Sequence, residues 1–239
     1  MDSGGATGEM GGLEGLIDRI PMIFAVAIPA IIAITMHEAA HGFVAMWRGD
    51  DTAWRLGRVT LNPLRHIDPL GTVVLPAVMY FTTGFVFGWA KPVPVNFGRL
   101  NHPRRDMVWV ALAGPGVNFV LALVSAIIWG FTSPQGGMME MWFRAALEVS
   151  VLVNVVLMVF NMIPLPPLDG GRVAVGILPD ALAFPLARME KYGMLILIGA
   201  FFLLPFIGRE LGMDLSVFSW VLGPPVDYMI ELIRFLSGN

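Results

Sequence analysis

Apolar residues run along this chain in long blocks separated by short polar ones. Ile20 to Trp47 is the first block. At about 1.5 Å per residue a helix of that length exceeds the roughly 30 Å hydrocarbon core of a bilayer, so it spans with tilt or projects. Residues 48–69 are polar. Within them Thr52 to Leu61 has strand-like composition and Asn62-Pro63 is a turn signal, which predicts a short β segment at the membrane surface. Residues 70–88 are apolar again, with Pro76, Gly84 and Gly88 as breakers. The stretch Gly88 to Asn96 carries Pro92 and Pro94 at alternate positions, which favours an extended path. Met107 to Phe131 and Met141 to Ile163 are further spans. The second runs into Asn161-Met162-Ile163-Pro164-Leu165-Pro166-Pro167-Leu168-Asp169-Gly170-Gly171-Arg172, where three prolines break the helix. Tyr192 to Phe206 and Leu215 to Leu236 complete the pattern, both interrupted by breakers.

Composition agrees with the pattern. Of the 239 residues, 56% are hydrophobic and 14% charged, against about 25% charged in soluble domains, and the mean hydropathy is +0.72. The fold class is an all-α integral membrane protein: a polytopic bundle of about five crossings plus a re-entrant segment, with short membrane-surface β segments. Residues 1–16, Gly-rich and acidic, read as a disordered tail. Residues 17–239 read as one membrane-embedded domain, with a core at about 20–175 and accessory helices at about 190–236. The net charge of −3 gives no reason to expect nucleic acid as a partner; the bilayer is the expected surroundings. With no cysteine, a metal site must use His, Asp or Glu.

The polar residues inside the apolar blocks carry the chemistry. His37 and His41 are four apart, so on a helix they leave one face and can grip one ion, and Glu38 is placed to reach a water beside it. Histidine nitrogens suit Zn²⁺. Burying these groups in a spanning helix is costly without a function. Two histidines need a third ligand. Asp169, in backbone that is tolerated at membrane depth only inside protein or against a wet cavity, is the candidate, although it can also cap the helix that follows. Asn118 reads as an interhelical hydrogen bond or as a group near substrate. His66 reads as a surface-loop or accessory histidine, and His102 as solvated.

For His37, His41 and Asp169 to share a depth, residues 70–88 must dip into the membrane and return. That arrangement places twelve of the 15 lysines and arginines on one face and Arg19, Arg144 and Arg209 on the other. By the positive-inside tendency, the N-terminus is then outside, and the C-terminus and metal site are toward the cytoplasm.

These elements resemble the site-2 protease family of intramembrane zinc metalloproteases. The resemblance rests on His37-Glu38-Ala39-Ala40-His41, Asn62 through Pro69, Phe87 through Asn96, Ala113-Gly114-Pro115 with Asn118, and Asn161 through Gly170. It is to the small prokaryotic branch, without an inserted PDZ-like domain or a C-terminal nucleotide-sensing domain. The resemblance implies one zinc per chain held by His37, His41 and Asp169, and Glu38 as catalytic acid/base. It also implies that Asn161 positions a transmembrane protein substrate, and that the chain sits in the plasma membrane. On the residues alone, a non-proteolytic zinc protein (transporter, sensor or scaffold) is the alternative.

Overall fold

The structure, a computed structural model, describes residues 20–74 and 90–239. The expected tail at 1–16 and most of the expected re-entrant segment at 70–88 lie outside the described residues; of the latter, Pro69–Val74 forms a π-helical turn. The helices are α1 (Ile20–Trp47), α2 (Thr52–Arg55), α3 (Pro103–Gly130), α4 (Met138–Asn161) and α5 (Asp169–Ile177). They continue as α6 (Asp180–Arg188), α7 (Glu190–Ile198), α8 (Leu204–Glu210) and α9 (Gly223–Ser237). Among the described residues, four helical stretches are long and apolar enough to cross a membrane: Pro21–Trp47, Pro103–Gly130, Met138–Asn161 and Glu190–Glu210. The fifth predicted crossing is helical at Phe218–Leu222 and Gly223–Ser237, but Asp227, Glu231 and Arg234 make it less apolar than the other four.

α1 is apolar on every side, the mark of a helix solvated by lipid rather than water. Its large residues face outward: Met22, Ile23, Phe24, Ile28, Ile31 and Ile32 are exposed on the protein surface. Its small residues Ala25, Ala33 and Ala45 are fully buried, which lets the neighbouring helices come close. Hydrogen bonds fix the orientation of the bundle. Trp142 Nε1, in the second turn of α4, donates to Pro21 O at the start of α1 (2.6 Å). The short connection at 131–137 returns α4 antiparallel to α3. α1 and α4 therefore run the same way, and the segment after α4 arrives where α1 carries its histidines.

A core of Ala122, Ala126, Val155, Leu222, Val226 and Ile233 locks α9 against α3 and α4. It carries the chain end to the far side of the bundle, where Asn239 Nδ2 donates to Ala126 O (2.8 Å). This corrects one topological expectation: the C-terminus lies at the end where α1 begins, opposite the histidines, because the apolar face of α9 follows α3 and α4 down to that end.

The expected β segments are also corrected, since no strand forms among the described residues. Asp50 is fully buried; its Oδ1 accepts from both the amide and the hydroxyl of Thr52, turning the chain into α2 instead of extending it. Gly57, at φ 62°, then turns the chain after α2. Residues 90–96 do run extended, but Pro92 and Pro94 cannot donate to a ladder.

Candidate metal centre

His37 and His41 project from one face of α1 toward α3. The backbone of α3 can approach because residue 114 is glycine. A Cβ there would lie 2.5 Å from His37 Cε1 and from His41 Nε2, inside any tolerable contact. Asp169 reaches the same point from the first residue of α5. Its carbonyl neighbour Leu168 occupies the capping position, so the side chain is not spent on a cap. The loop behind it is folded tightly onto the helix start. A Cβ on Gly170 would sit 2.2 Å from Met162 O, and one on Gly171 would sit 2.1 Å from Pro166 N. The two glycines and three prolines thus deliver one carboxylate to a fixed place.

Three ligand atoms meet there. His37 Nε2 and His41 Nε2 are 3.1 Å apart, and Asp169 Oδ2 lies 3.2 Å from the first and 3.3 Å from the second. The far nitrogens of both rings are engaged: His37 Nδ1 with Asn118 Oδ1 (2.6 Å) and His41 Nδ1 with Val110 O (2.7 Å). A main-chain carbonyl only accepts, so His41 Nδ1 carries its proton. Asn118 Nδ2 donates to Ala33 O and to Asn154 Oδ1, so its Oδ1 also accepts and His37 Nδ1 is protonated. With Nδ1 protonated in both rings, the neutral form of each turns its Nε2 lone pair toward Asp169 Oδ2, which is buried and has no hydrogen-bond partner.

Three mutually facing acceptors repel one another unless a cation lies among them. With bonds of about 2.0–2.1 Å and tetrahedral angles, zinc ligands stand about 3.3 Å apart, matching the spacing found here. Two imidazoles and one carboxylate, each imidazole fixed by a hydrogen bond on its other nitrogen, form a donor set that fits zinc. His37, His41 and Asp169 are also the group among the described residues whose ligand atoms could hold a metal ion.

Glu38 leaves α1 on the neighbouring face. Its Oε2 accepts from Val93 N at 2.7 Å. One turn on, Gly42 gives room for Val59 and Val93, whose methyl carbons would lie 2.8 Å and 3.0 Å from a Cβ. The extended stretch that supplies the Val93 amide is held along its length. Arg58 Nη2 donates to Lys91 O (2.8 Å), Lys91 N to His66 O (2.8 Å), and Asn96 N to Asp50 Oδ2 (2.6 Å).

Of the remaining polar residues, His66 departs from expectation, whereas Asn118 and His102 fall within it. Asn118 is 0% exposed with both polar atoms engaged inside the bundle, so contact with substrate is closed to it and the interhelical reading applies. His66 is no surface histidine: it is 3% exposed, with Nε2 against Thr60 O, because residues 58–66 fold under the extended stretch. His102 is solvent-exposed as expected. Asn161 is half-buried at the end of α4, its Nδ2 donating to Leu157 O (2.9 Å). Sequence reasoning passed over Asn154, whose signal was a lone amide in the middle of an apolar span, and Val110, whose main-chain contribution leaves no mark in the sequence.

The model of peptidase family M50 matches residues 23–206, most of the chain and all of the metal centre. The chain is 35% identical over 208 residues to "Putative zinc metalloprotease YwhC" of Bacillus subtilis, covering 82% of this chain and 92% of that protein. It is 28% identical over 170 residues to "Putative zinc metalloprotease Rip2" of Mycolicibacterium smegmatis, covering 70% of this chain and 62% of that one. Against the protein of the same name in Mycobacterium tuberculosis strain H37Rv, the identity is 26% over 183 residues, 72% of this chain and 64% of the relative. No solved structure matches. The family match spans the helix that carries His37 and His41 and the turn that carries Asp169, and on that ground the chain belongs to peptidase family M50, the site-2 protease family of membrane zinc metalloproteases.

Proposed function

We propose that this chain hydrolyses peptide bonds within or next to transmembrane segments of membrane proteins, membrane-tethered regulators among them. The observation that carries the reading is the convergence of two imidazole lone pairs and one orphaned carboxylate oxygen on a helix long and apolar enough to span the bilayer. Glu38 stands one residue from the first ligand with a partner that a carboxylate can leave.

His37, His41 and Asp169 would hold the zinc. When bound, zinc supplies a Lewis acid that lowers the pKa of water toward neutrality and polarises the scissile carbonyl. Glu38 takes the proton of the attacking water and passes it to the departing amide nitrogen. The hydrogen bond from Val93 N keeps the Glu38 carboxylate oriented before it acts. Substrate must be extended before its carbonyl can be attacked, and the stretch at 91–96 is the extended backbone nearest Glu38, able to lie against it. For Asn161 to position substrate, its amide must turn away from Leu157 O. The metal end carries Arg48, Arg58, Lys91, Arg99 and Arg104, which supports a multi-pass placement in the plasma membrane of a prokaryote with the site toward the cytoplasm and the N-terminus outside. Residues 17–239 act as one protease domain.

The test pairs zinc content with cleavage for wild type and Glu38→Gln in detergent, using a panel of labelled membrane-spanning peptides. One zinc per chain in both, with cleavage by wild type alone, supports the reading. Equal cleavage by both removes Glu38 from the chemistry. Zinc in both with cleavage by neither favours a zinc-binding transporter, sensor or scaffold.

A further inference from the structure

The hydrogen bond that orients His37 continues beyond Asn118 into the bundle, and every link has a fixed direction. Asn154 lies on α4, 1% exposed. Its Nδ2 donates to Ser150 O at 2.8 Å. Its Oδ1 accepts from Asn118 Nδ2 at 2.8 Å, and Asn118 Oδ1 accepts from His37 Nδ1 at 2.6 Å. The chain of bonds ends at Ser150, whose main-chain carbonyl, the shorter contact, has no proton to give and whose Oγ lies 3.4 Å from the same nitrogen. That end sets the polarity of all the rest. Were Asn118 turned over, its oxygen would face Ala33 O and Asn154 Oδ1. Were Asn154 turned over as well, its oxygen would face Ser150 O at the 2.8 Å contact, with only the more distant Ser150 hydroxyl, at 3.4 Å, able to donate to it. Each reversal sets acceptor against acceptor where water does not reach, which costs far more than a hydrogen bond gains.

We infer that Asn154, acting through Asn118, is a positioning residue that holds His37 in the Nδ1–H tautomer and so keeps the Nε2 lone pair turned to the zinc. His41 gets the same service directly from Val110 O. His37 depends on side chains from two other helices, so its competence as a ligand requires α1, α3 and α4 to be assembled. The inference rests on the zinc-site reading above but is separable from proteolysis, since its readouts are made without substrate.

The experiment is ¹⁵N NMR of histidine-labelled, zinc-free full chain in detergent, together with zinc competition titration, for wild type, Asn154→Leu and Ser125→Ala. Ser125 Oγ bonds Ser150 Oγ across the same two helices at 2.8 Å and reaches Asn154 only through that hydroxyl, 3.4 Å from Asn154 Nδ2, while the shorter bond from Asn154 Nδ2 to Ser150 O does not involve it. The expected wild-type signal is His37 wholly as the Nδ1–H form. Asn154→Leu is expected to give a mixture of tautomers at His37 alone, with His41 unchanged, and zinc affinity lower by about 10–100-fold. Ser125→Ala is expected to match wild type in both readouts, which a merely structural role for the α3–α4 contact would not predict. Should Asn154→Leu fail to fold, Asn154→Ser is read in the same way. The inference is overturned if wild-type His37 carries its proton on Nε2, or if the Asn154 variant keeps a single His37 tautomer and wild-type affinity. Altered tautomer and affinity in a chain that cleaves no peptide would count against the protease reading and leave the relay standing.

Discussion

Gly114→Ala separates two effects of opposite sign. On an isolated helix the change is favourable by about 1 kcal/mol, since alanine is the better helix former. At this position the added methyl falls 2.5 Å from His37 Cε1 and from His41 Nε2, and 2.6 Å from His37 Nε2. Carbon atoms in contact sit about 3.5–4.0 Å apart, so the rings must retreat by roughly 1 Å. Metal–ligand distances tolerate only about ±0.2 Å, so a retreat of that size ends coordination by two of the three ligands. Overpacking of this kind costs about 1–3 kcal/mol, which against the gain in propensity leaves a net loss of about 0–2 kcal/mol. The expected outcome is a chain that folds with nearly wild-type thermal stability in its zinc-free form yet binds zinc at least 100-fold more weakly. The assay is zinc content by mass spectrometry after dialysis against a competing chelator, with circular dichroism as the folding control. Retention of one zinc per chain at wild-type affinity would refute the placement of α3 against the two rings.

Two other outcomes follow from the same geometry. Removing zinc with a chelator should lower the unfolding midpoint in detergent, because zinc binds only the assembled site; at free zinc 100-fold above its dissociation constant the linkage is worth about 2.7 kcal/mol. An unchanged midpoint would contradict a site built from α1 and α5 together. Arg58→Met removes the donor to Lys91 O and leaves that carbonyl buried or rehydrated, a loss of about 1.5–3 kcal/mol for a charged hydrogen bond. It should lower kcat several-fold with zinc content intact, since the Val93 amide that orients Glu38 loses its anchor; a normal kcat would show that Glu38 needs no such support.

The grouping of His37, His41 and Asp169 into a candidate metal centre was legible in sequence because its parts obey local rules. A four-residue spacing on a helix fixes the shared face of His37 and His41, and burial in an apolar block makes idle histidines too costly to keep. Asp169 stood out as the one carboxylate in a proline-broken stretch. The surroundings were less legible because they depend on contacts distant in sequence. Thr52 to Leu61 has strand composition, but β propensity reports fit to neighbouring strands, and here Asp50 captures Thr52 first. His66 read as a surface residue from the polarity of its neighbours; its burial comes from the stretch at 90–96 folding over it. The final helix could be counted but not directed, because its path follows the match of Leu222, Val226 and Ile233 to α3 and α4.

The fold of α9 makes orientation in the cell readable from one fusion. Asn239 bonds Ala126 O, and Trp142 ties α4 to Pro21, so the C-terminus lies with the start of α1 at the end of the bundle remote from His37, His41 and Asp169. A reporter appended after Asn239 therefore samples the compartment that the active site does not face. With the site toward the cytoplasm, a C-terminal alkaline phosphatase should be active and a C-terminal green fluorescent protein dark. The reverse pair of signals would turn the whole enzyme over in its membrane.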